Sequence, residues 1–316
     1  MPRFAGHRTS RLHAGSAFLA HFSALAALAL ALAPRSSAQA IPARLADSTF
    51  WRMMIEFSEP GGYFRSDNFV SNETSFQWVI PELQGTVKPG GVYVGVAPDQ
   101  NFTYLVALKP KIAFIVDIRH QNAMQHLLYK ALIELSADRA DFVSRLFSKP
   151  RPAGLDSSSS AAAIFAAIGN GFPDSATYRR NSEAIRDRLV KVHGFALSED
   201  ELKMLDYVYS AFYTAGPALT YNFPSAGGYG GGGFGGRGMP NYGQLMQESD
   251  GRGENRSYLG SEANYRALKE LEERNLIVPL TGNFAGEKAL RSVGQWVRDR
   301  EAKITAFYTS NVEQYL

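Results

Sequence analysis

Two residues at the ends of apolar segments have the type and spacing of a nucleotide-binding unit. Gly95 lies in the apolar run Val92–Val96, and Asp117 directly follows a second apolar run, Ile112–Val116. In nucleotide-binding βαβ units an acid lies about 20 residues beyond the glycine loop and accepts hydrogen bonds from the ribose hydroxyls. Because a carboxylate can accept two hydroxyl hydrogen bonds at once, we expect Asp117 to bind a ribose.

The loop after the first run departs from the Gly-x-Gly-x-x-Gly pattern of dinucleotide-binding proteins. It contains a single glycine, so its backbone cannot approach a pyrophosphate in the usual way. Asp99 also places a negative charge where an anion would otherwise lie at a helix N-terminus. An acid there suits an ammonium or sulfonium group better than a diphosphate, which favours S-adenosylmethionine over NAD as the cofactor. The candidate cofactor-binding residues are Gly95, Pro98, Asp99, Gln100, Asn101 and Asp117.

A structural interpretation of the same residues stays open. Asp99 or Asn101 would then only cap a helix, and Asp117 would only end a strand. The pattern assigns no catalytic residue and no metal site. His120 and His126 are six positions apart, about 240° around a helix, so they do not share a face. The chain has no cysteine, which excludes thiolate catalysis and thiolate metal sites.

The order of the predicted elements indicates an α/β fold with an open, mainly parallel, Rossmann-like sheet. Runs of Val, Ile and Phe without polar alternation are typical of parallel strands that are buried on both faces. We expect the strands Ile112–Val116, Val92–Val96, Leu276–Leu280 and Ile304–Tyr308 to be neighbours in it. A long, mostly helical insertion, about 122–275, separates the second and third strands in sequence. A connection of this length suggests a cap or subdomain over the site.

Composition limits the classes of function. Hydrophobic residues make up 45% of the 316 residues and charged ones 20%, which excludes a disordered chain. Residues 1–40 contain four arginines and no acid, and without them 29 basic residues face 30 acidic ones. A nearly neutral body gives no electrostatic reason to expect nucleic acid binding.

Residues 1–40 have the features of a signal peptide. A basic region precedes the apolar run Ala24–Ala33, and Ala38-Gln39-Ala40 supplies small residues for cleavage before Ile41. We therefore expect export to the periplasm or the cell exterior, and a single domain over 41–316. A membrane anchor over 14–33 is the alternative. Within the domain the glycine-rich stretch 226–238 is expected to be a flexible surface loop.

Four segments of the chain resemble an uncharacterised bacterial family that is thought to have an S-adenosylmethionine-dependent methyltransferase-like core. The likeness covers most of 50–316 apart from the glycine-rich stretch, and its most specific motif is Pro-Asp-Gln-Asn-Phe-Thr-Tyr at 98–104. The resemblance implies a fold more firmly than an activity. Members of that family run on past the last residue here, so we expect the closing β-hairpin of methyltransferases to be missing and the chain to be truncated. The four segments are Gly91–Tyr104, Phe114–Arg119, Leu276–Gly286 and Ser310–Leu316.

Methyltransferases often bind the methyl acceptor beside the loop that follows a later strand. Asn283 follows the third predicted strand, although a polar turn explains this residue equally well. Glu73, in a polar segment before the first strand, is a second candidate for binding substrate, and a solvated helix face is its alternative. Asn68 and Asn72 accompany Glu73 in that segment. Tyr308, Asn311 and Glu313 lie at the carboxyl end of the fourth predicted strand, where open α/β sheets bind ligands, and surface packing is their alternative.

Two functions from different classes remain open. The first is an S-adenosylmethionine-dependent methyltransferase of unknown acceptor, since in-line methyl transfer needs mainly proximity and orientation. The second is an exported, non-enzymatic binding or scaffold protein on a degenerate methyltransferase fold. The predicted signal peptide favours the second, because S-adenosylmethionine is made in the cytoplasm. In both cases we expect a small-molecule ligand, no nucleic acid, and no membrane contact after the signal is removed.

The cleavage site gives the first testable prediction. N-terminal sequencing of the protein recovered from its native host should begin at Ile41, because Ala38 and Ala40 occupy the −3 and −1 positions. An intact product that begins at Met1 and is recovered from the cytoplasm would contradict export.

Overall fold

The computed structural model describes residues 40–222 and 239–316. The predicted signal peptide, apart from Ala40, and the glycine-rich stretch 226–238 lie outside the described residues.

Four parallel strands form one open sheet in the order β3-β2-β1-β4. Val92 of β1 lies beside Ile112 of β2 and Ile304 of β4, and Ala113 of β2 lies beside Ile277 of β3. Every residue of β1, β2 and β3 is buried, as the unbroken apolar runs predicted. The α/β class and the parallel sheet are confirmed, and each strand starts and ends within one residue of its prediction. The strands are β1 Val92–Gly95, β2 Ile112–Asp117, β3 Ile277–Thr281 and β4 Ile304–Phe307.

Helices cover both faces of the sheet. In chain order they are α1 Asp47–Phe57, α2 Ile80–Thr86, α3 Gln100–Leu108, α4 His120–Leu135, α5 Arg139–Leu146, α6 Ala161–Gly169, α7 Ser175–Arg186, α8 Glu199–Ala215, α9 Tyr242–Gln247, α10 Glu262–Glu273 and α11 Ala289–Arg298.

The side chain of Phe114 shows which helices cover one of these faces. Its ring contacts Phe57 at the end of α1, with centroids 6.4 Å apart, and Trp296 of α11, 5.4 Å apart. Helices α3 and α4 connect β1 to β2 and β2 to β3, and right-handed crossovers place both on the opposite face. Parallel strands need this double cover, because their apolar side chains point in both directions.

The described part of the long insertion, 122–222 and 239–275, does not form the predicted cap. Among the described residues of 122–275, only Tyr221 lines the cavity at the carboxyl end of the sheet. Helix α4 of the insertion packs against the sheet instead, and α8 and α10 pack against α4. Burial of the apolar faces of these helices explains the length of the insertion, and no role in covering the cavity is needed. Within the same described ranges, no helix is both long enough and apolar enough to cross a bilayer.

A partly buried ionic cluster ties α1 to α4. The imidazole of His193 contacts Asp47 through Nδ1 at 2.8 Å and Glu134 through Nε2 at 2.7 Å. Lys130 donates to the other carboxylate oxygen of Glu134 at 2.7 Å. Burial alone would lower the pKa of His193, but the two carboxylates outweigh it, so the pKa lies above its usual value. The imidazolium form is therefore the one that stabilises the fold.

The His193 cluster predicts a pH-dependent stability. Because the folded state raises the pKa of His193, its contribution is present below the unfolded pKa of about 6.5 and is lost as pH rises through the folded pKa. We expect His193→Gln to lower the free energy of unfolding by about 1–3 kcal/mol at pH 5.5 and by less at pH 8.5. Urea unfolding at the two pH values measures this. Lys203→Gln, which removes an exposed ion pair with Asp200, is the control and should change little at either pH.

Candidate functional site

A cavity of about 150 Å³ lies at the carboxyl ends of the four strands. Its walls come from the loops that follow β1, β2, β3 and β4, and from the irregular segment 64–73. The chain leaves β1 toward β2, whereas β4 lies on the other side of β1, so the direction of winding reverses between β1 and β4. Open α/β sheets bind ligands in the crevice at such a switch point.

Glu73 connects three walls of the cavity. Its Oε2 accepts a hydrogen bond from Gln100 Nε2 at 3.0 Å, and its Oε1 accepts from the Tyr308 hydroxyl at 2.7 Å and from Ser310 Oγ at 2.5 Å. Burial, together with the nearby Glu73 charge, raises the pKa of Tyr308 well above its usual value, so its hydroxyl remains a donor. Glu73 lies in a loop, so the solvated helix face considered for it is wrong.

Of the candidate cofactor-binding residues, Gln100 and Pro98 both line the cavity. Gln100 begins α3 and is 2% exposed, and its amide is fully engaged. It donates to Glu73 and to the Tyr104 hydroxyl at 2.9 Å, and its oxygen accepts from Ser71 Oγ. These bonds fix the orientation of the amide before any ligand binds.

Asp117 also lines the cavity, but Arg119 occupies much of its carboxylate. Oδ1 accepts from the backbone N–H of Arg119 at 2.9 Å and from its Nε at 3.0 Å, and Oδ2 accepts from Nη2 at 2.8 Å. A carboxylate has about four acceptor directions, so one on Oδ2 remains for a ligand. The structure therefore leaves room for a single hydroxyl on Asp117, not for two.

Asn101 and Gly95 do not line the cavity. The Asn101 amide donates to the carbonyls of Val96 and Pro98, each at 2.8 Å, and its oxygen accepts from the Tyr93 hydroxyl at 2.8 Å. A Cβ added at Gly95 would overlap the Asn101 side chain. Glycine is thus required at 95 to let Asn101 bind the loop.

Asp99 faces the protein interior, away from the cavity. Its carboxyl is 2% exposed and accepts from the Tyr258 hydroxyl at 3.0 Å, which in turn lies 2.5 Å from the Tyr242 hydroxyl. Burial raises the pKa of Asp99 to about 7. Asp99 precedes α3, yet its side chain makes no bond to the first N–H groups of that helix. Its contacts thus match neither the predicted ligand role nor a cap.

Asn283 lines the cavity while its side chain closes a local turn, because Oδ1 accepts from the backbone N–H of Ala285 at 2.9 Å. The local turn proposed for Asn283 is thus present, and its position in the cavity wall leaves the acceptor-binding interpretation open. The accompanying polar residues that line the cavity are Asn68, Asn72, Tyr308 and Asn311, whereas Glu313 does not.

Several cavity residues had no signal in the sequence analysis. Phe64 and Tyr315 meet across one wall, with ring centroids 5.4 Å apart, although they lie at opposite ends of the domain. Tyr221 adds a third aromatic side chain. The sequence could have identified Arg119 as a partner of Asp117. In an Asp-x-Arg sequence the guanidinium is close enough to the carboxylate two residues earlier to form a charged hydrogen bond with it.

Ala97, in the loop after β1, has a left-handed backbone with φ of 68°. This conformation costs a residue with a Cβ about 1–2 kcal/mol, and here it is found in a residue that lines the cavity. The Ala97 carbonyl accepts from His126 Nε2 at 3.0 Å and from Asn101 Nδ2 at 3.2 Å, and these bonds hold the strained conformation.

The strain at Ala97 gives a paired prediction. Ala97→Gly should raise the free energy of unfolding by up to about 1 kcal/mol, because glycine adopts a left-handed backbone without a steric cost. The same change at Ala162, an exposed position in α6, should lower it by about 1 kcal/mol. Chemical denaturation of both variants measures the difference. A decrease for Ala97→Gly like that for Ala162→Gly would show that Ala97 is not strained.

A family model described as Domain of unknown function (DUF7790) matches residues 68–204 and 236–316. These segments contain the four strands and the cavity residues Glu73, Asp117 and Asn283. No curated protein matches the chain. The match spans more than half of the chain, which therefore belongs to the DUF7790 domain family.

Proposed function

We propose that the cavity binds S-adenosylmethionine and that the protein is a methyltransferase-like protein on a Rossmann-like core, with the methyl acceptor beside Asn283. The observation that carries the proposal is the position of the cavity. It lies at the switch point of a sheet in the order β3-β2-β1-β4, with Asp117 at the end of β2. Nucleotide-type ligands bind there in doubly wound folds, where the acid after the second strand contacts the ribose.

The charge of the lining supports a cationic ligand. Asp117 and Arg119 neutralise one another, which leaves Glu73 as the unbalanced side-chain charge among the described residues of the lining. The role that the sequence suggested for Asp99 thus falls to Glu73, which would face the ammonium or sulfonium group. The aromatic side chains of Tyr308, Tyr221 and Tyr315 also suit a cation, since ring faces attract positive charge.

The size of the cavity sets a condition on binding. About 150 Å³ is below the range of about 300–1,000 Å³ that ligand sites of this kind occupy. The contact between Phe64 and Tyr315 must therefore open for a ligand as large as S-adenosylmethionine. When bound, that cofactor would supply a methyl group on a sulfonium leaving group, and the chain would contribute orientation and exclusion of water.

The second candidate is a non-enzymatic exported binding protein. The bidentate contact of Arg119 with Asp117 favours it, because it leaves the acid with less capacity for a ribose than an active nucleotide site needs. The predicted signal peptide is a further argument for this candidate.

Calorimetric titration with S-adenosylmethionine and S-adenosylhomocysteine tests the proposal. We expect Asp117→Asn to weaken binding of both ligands by about 10- to 100-fold, the effect of losing a charged hydrogen bond of about 1.5–3 kcal/mol. If Glu73 faces the sulfonium group, Glu73→Gln should weaken only S-adenosylmethionine, whose sulfur is charged. If it faces the ammonium group, both ligands should weaken alike.

Glu272→Gln is the matched control for these variants. Glu272 is a buried acid outside the cavity, and burial raises its pKa to about 8, so an amide replaces a mainly protonated carboxyl at pH 7. Its affinity for both ligands should equal that of the wild type. If neither ligand binds the wild type at millimolar concentration, the proposal is wrong and the binding-protein candidate is preferred.

A further inference from the structure

Asp99 is a buried acid directly behind one wall of the cavity. Its neighbours Ala97, Pro98 and Gln100 line the cavity, whereas Asp99 itself is 2% exposed and faces the interior. We refer to residues 97–100 as the β1 loop. This loop presents one side to the cavity and a carboxyl group to the interior, so a change in the carboxyl group can act on the cavity wall.

Three tyrosine hydroxyls from other parts of the chain lie around the carboxyl group of Asp99. Tyr258, which precedes α10, donates to Oδ2 at 3.0 Å, and the Tyr242 hydroxyl of α9 lies 2.5 Å from that of Tyr258. Tyr129 of α4 interacts with the Asp99 carboxyl and with the Gln125 amide, although neither contact has the geometry of a full hydrogen bond. All three tyrosines are fully buried. We refer to Asp99, Tyr129, Tyr242 and Tyr258 as the phenol cluster.

The phenol cluster has no cation among the residues that the structure describes. Asp99 forms no ion pair with a lysine, arginine or histidine of residues 40–222 and 239–316. Burial raises the pKa of each tyrosine in the cluster well above its usual value, so the three hydroxyls stay neutral. His126 of α4 faces the Ala97 carbonyl of the β1 loop, and burial lowers its pKa to about 4, so its ring is also neutral near pH 7. Of the four residues in the cluster, Asp99 is the one that can change charge near neutral pH.

An ionised carboxylate in these surroundings is costly, because hydroxyl groups replace only part of its hydration and no opposite charge attracts it. A buried acid of this kind keeps its proton instead. Burial accordingly raises the pKa of Asp99 to about 7, whereas an aspartate in contact with water has a pKa of about 3.9. The proton is therefore held more tightly when the β1 loop is packed on the tyrosines than when Asp99 reaches water.

We propose that the phenol cluster is a pH-sensitive switch for this wall of the cavity. When Asp99 carries its proton, the carboxyl group is a neutral partner of the tyrosine hydroxyls, and the β1 loop stays packed on them. When the proton is lost to solvent, the loop opens more often, because opening gives the carboxylate water in place of the phenols. The β1 loop is thus held at acidic pH and released as pH rises through neutrality.

Hydrogen exchange of two amides reports opening of the β1 loop. The N–H of Asn101 donates to the Pro98 carbonyl at 3.4 Å, and that of Phe102 donates to the Asp99 carbonyl at 2.9 Å. Because the packed loop raises the pKa of Asp99, its support is complete below a pH of about 3.9 and is lost as pH rises to about 7. After correction for the chemical exchange rate, the opening constant of both amides should rise about 10- to 100-fold from pH 5 to pH 8.

Two variants assign this pH dependence to one acid. Asp99→Asn keeps the shape of the neutral carboxyl group and cannot ionise, so the opening constant should not depend on pH in this variant. Glu272→Gln is the matched control, since it removes a buried acid of α10 whose pKa burial raises to about 8 and which lies outside the cluster. The rise at Asn101 and Phe102 should remain in Glu272→Gln. A constant value in the wild type, or an equal rise in Asp99→Asn, overturns the proposal.

A measurement on the wild-type protein covers the case in which Asp99→Asn does not fold. The ¹³C shift of the Asp99 carboxyl carbon, followed by NMR from pH 4 to pH 9, should titrate with a midpoint of about 7. The amide shifts of Asn101 and Phe102 should change with the same midpoint. A midpoint near the ordinary value of about 3.9, or amide shifts that do not follow the carboxyl carbon, would overturn the proposal. Neither test uses a ligand, so the result does not depend on the proposed function.

Discussion

Burial of parallel strands on both faces is the constraint on which the other features of this domain depend. Strands β1, β2 and β3 have no exposed residue, so helices must cover both sides of the sheet. Once both faces are covered, polar side chains have access to the sheet only at the ends of its strands. The parallel direction brings the carboxyl ends of all four strands to one edge, and the cavity, its charges and its loops all lie there.

The apolar runs predicted the sheet because a continuous run of Val, Ile and Phe is a direct consequence of this double burial. The positions of Asp117, Gln100, Pro98 and Asn283 in the cavity wall could be predicted for a related reason, since each follows a strand end. The bounds of helix α7 could not be predicted in the same way, because its sequence is mostly polar and only Asn181 and Ile185 are buried. The aromatic contact of Phe64 with Tyr315 was also out of reach, because no local pattern encodes contacts between distant segments.

Asp99 and Glu73 show that the presence of an acidic residue in a loop does not predict which carboxylate faces the cavity. The sequence places Asp99 in the loop after β1, where an acid would face a ligand at the helix N-terminus. The turn after β1 directs the side chain inward instead, toward Tyr258, and Asn101 rather than Asp99 holds the loop. Glu73 reaches the same region from a segment distant in sequence. The position of the Asp99 carboxylate therefore depended on the left-handed turn at Ala97. The sequence gives no signal for this turn, because position 97 is not glycine.

The ring contact between Phe64 and Tyr315 has a kinetic consequence. Aromatic pairs contribute about 0.5–1.5 kcal/mol, and Tyr315 is itself 55% exposed. Taken by itself, a contact of about 1 kcal/mol leaves roughly one molecule in six open at any moment. Such a fraction weakens the apparent affinity of an entering ligand by only about sixfold. Opening would also be frequent, because side-chain and loop motions occur in nanoseconds to microseconds. Opening of the Phe64–Tyr315 contact would then be a rapid equilibrium that precedes ligand binding. The residence time of a bound ligand would depend on its contacts inside the cavity.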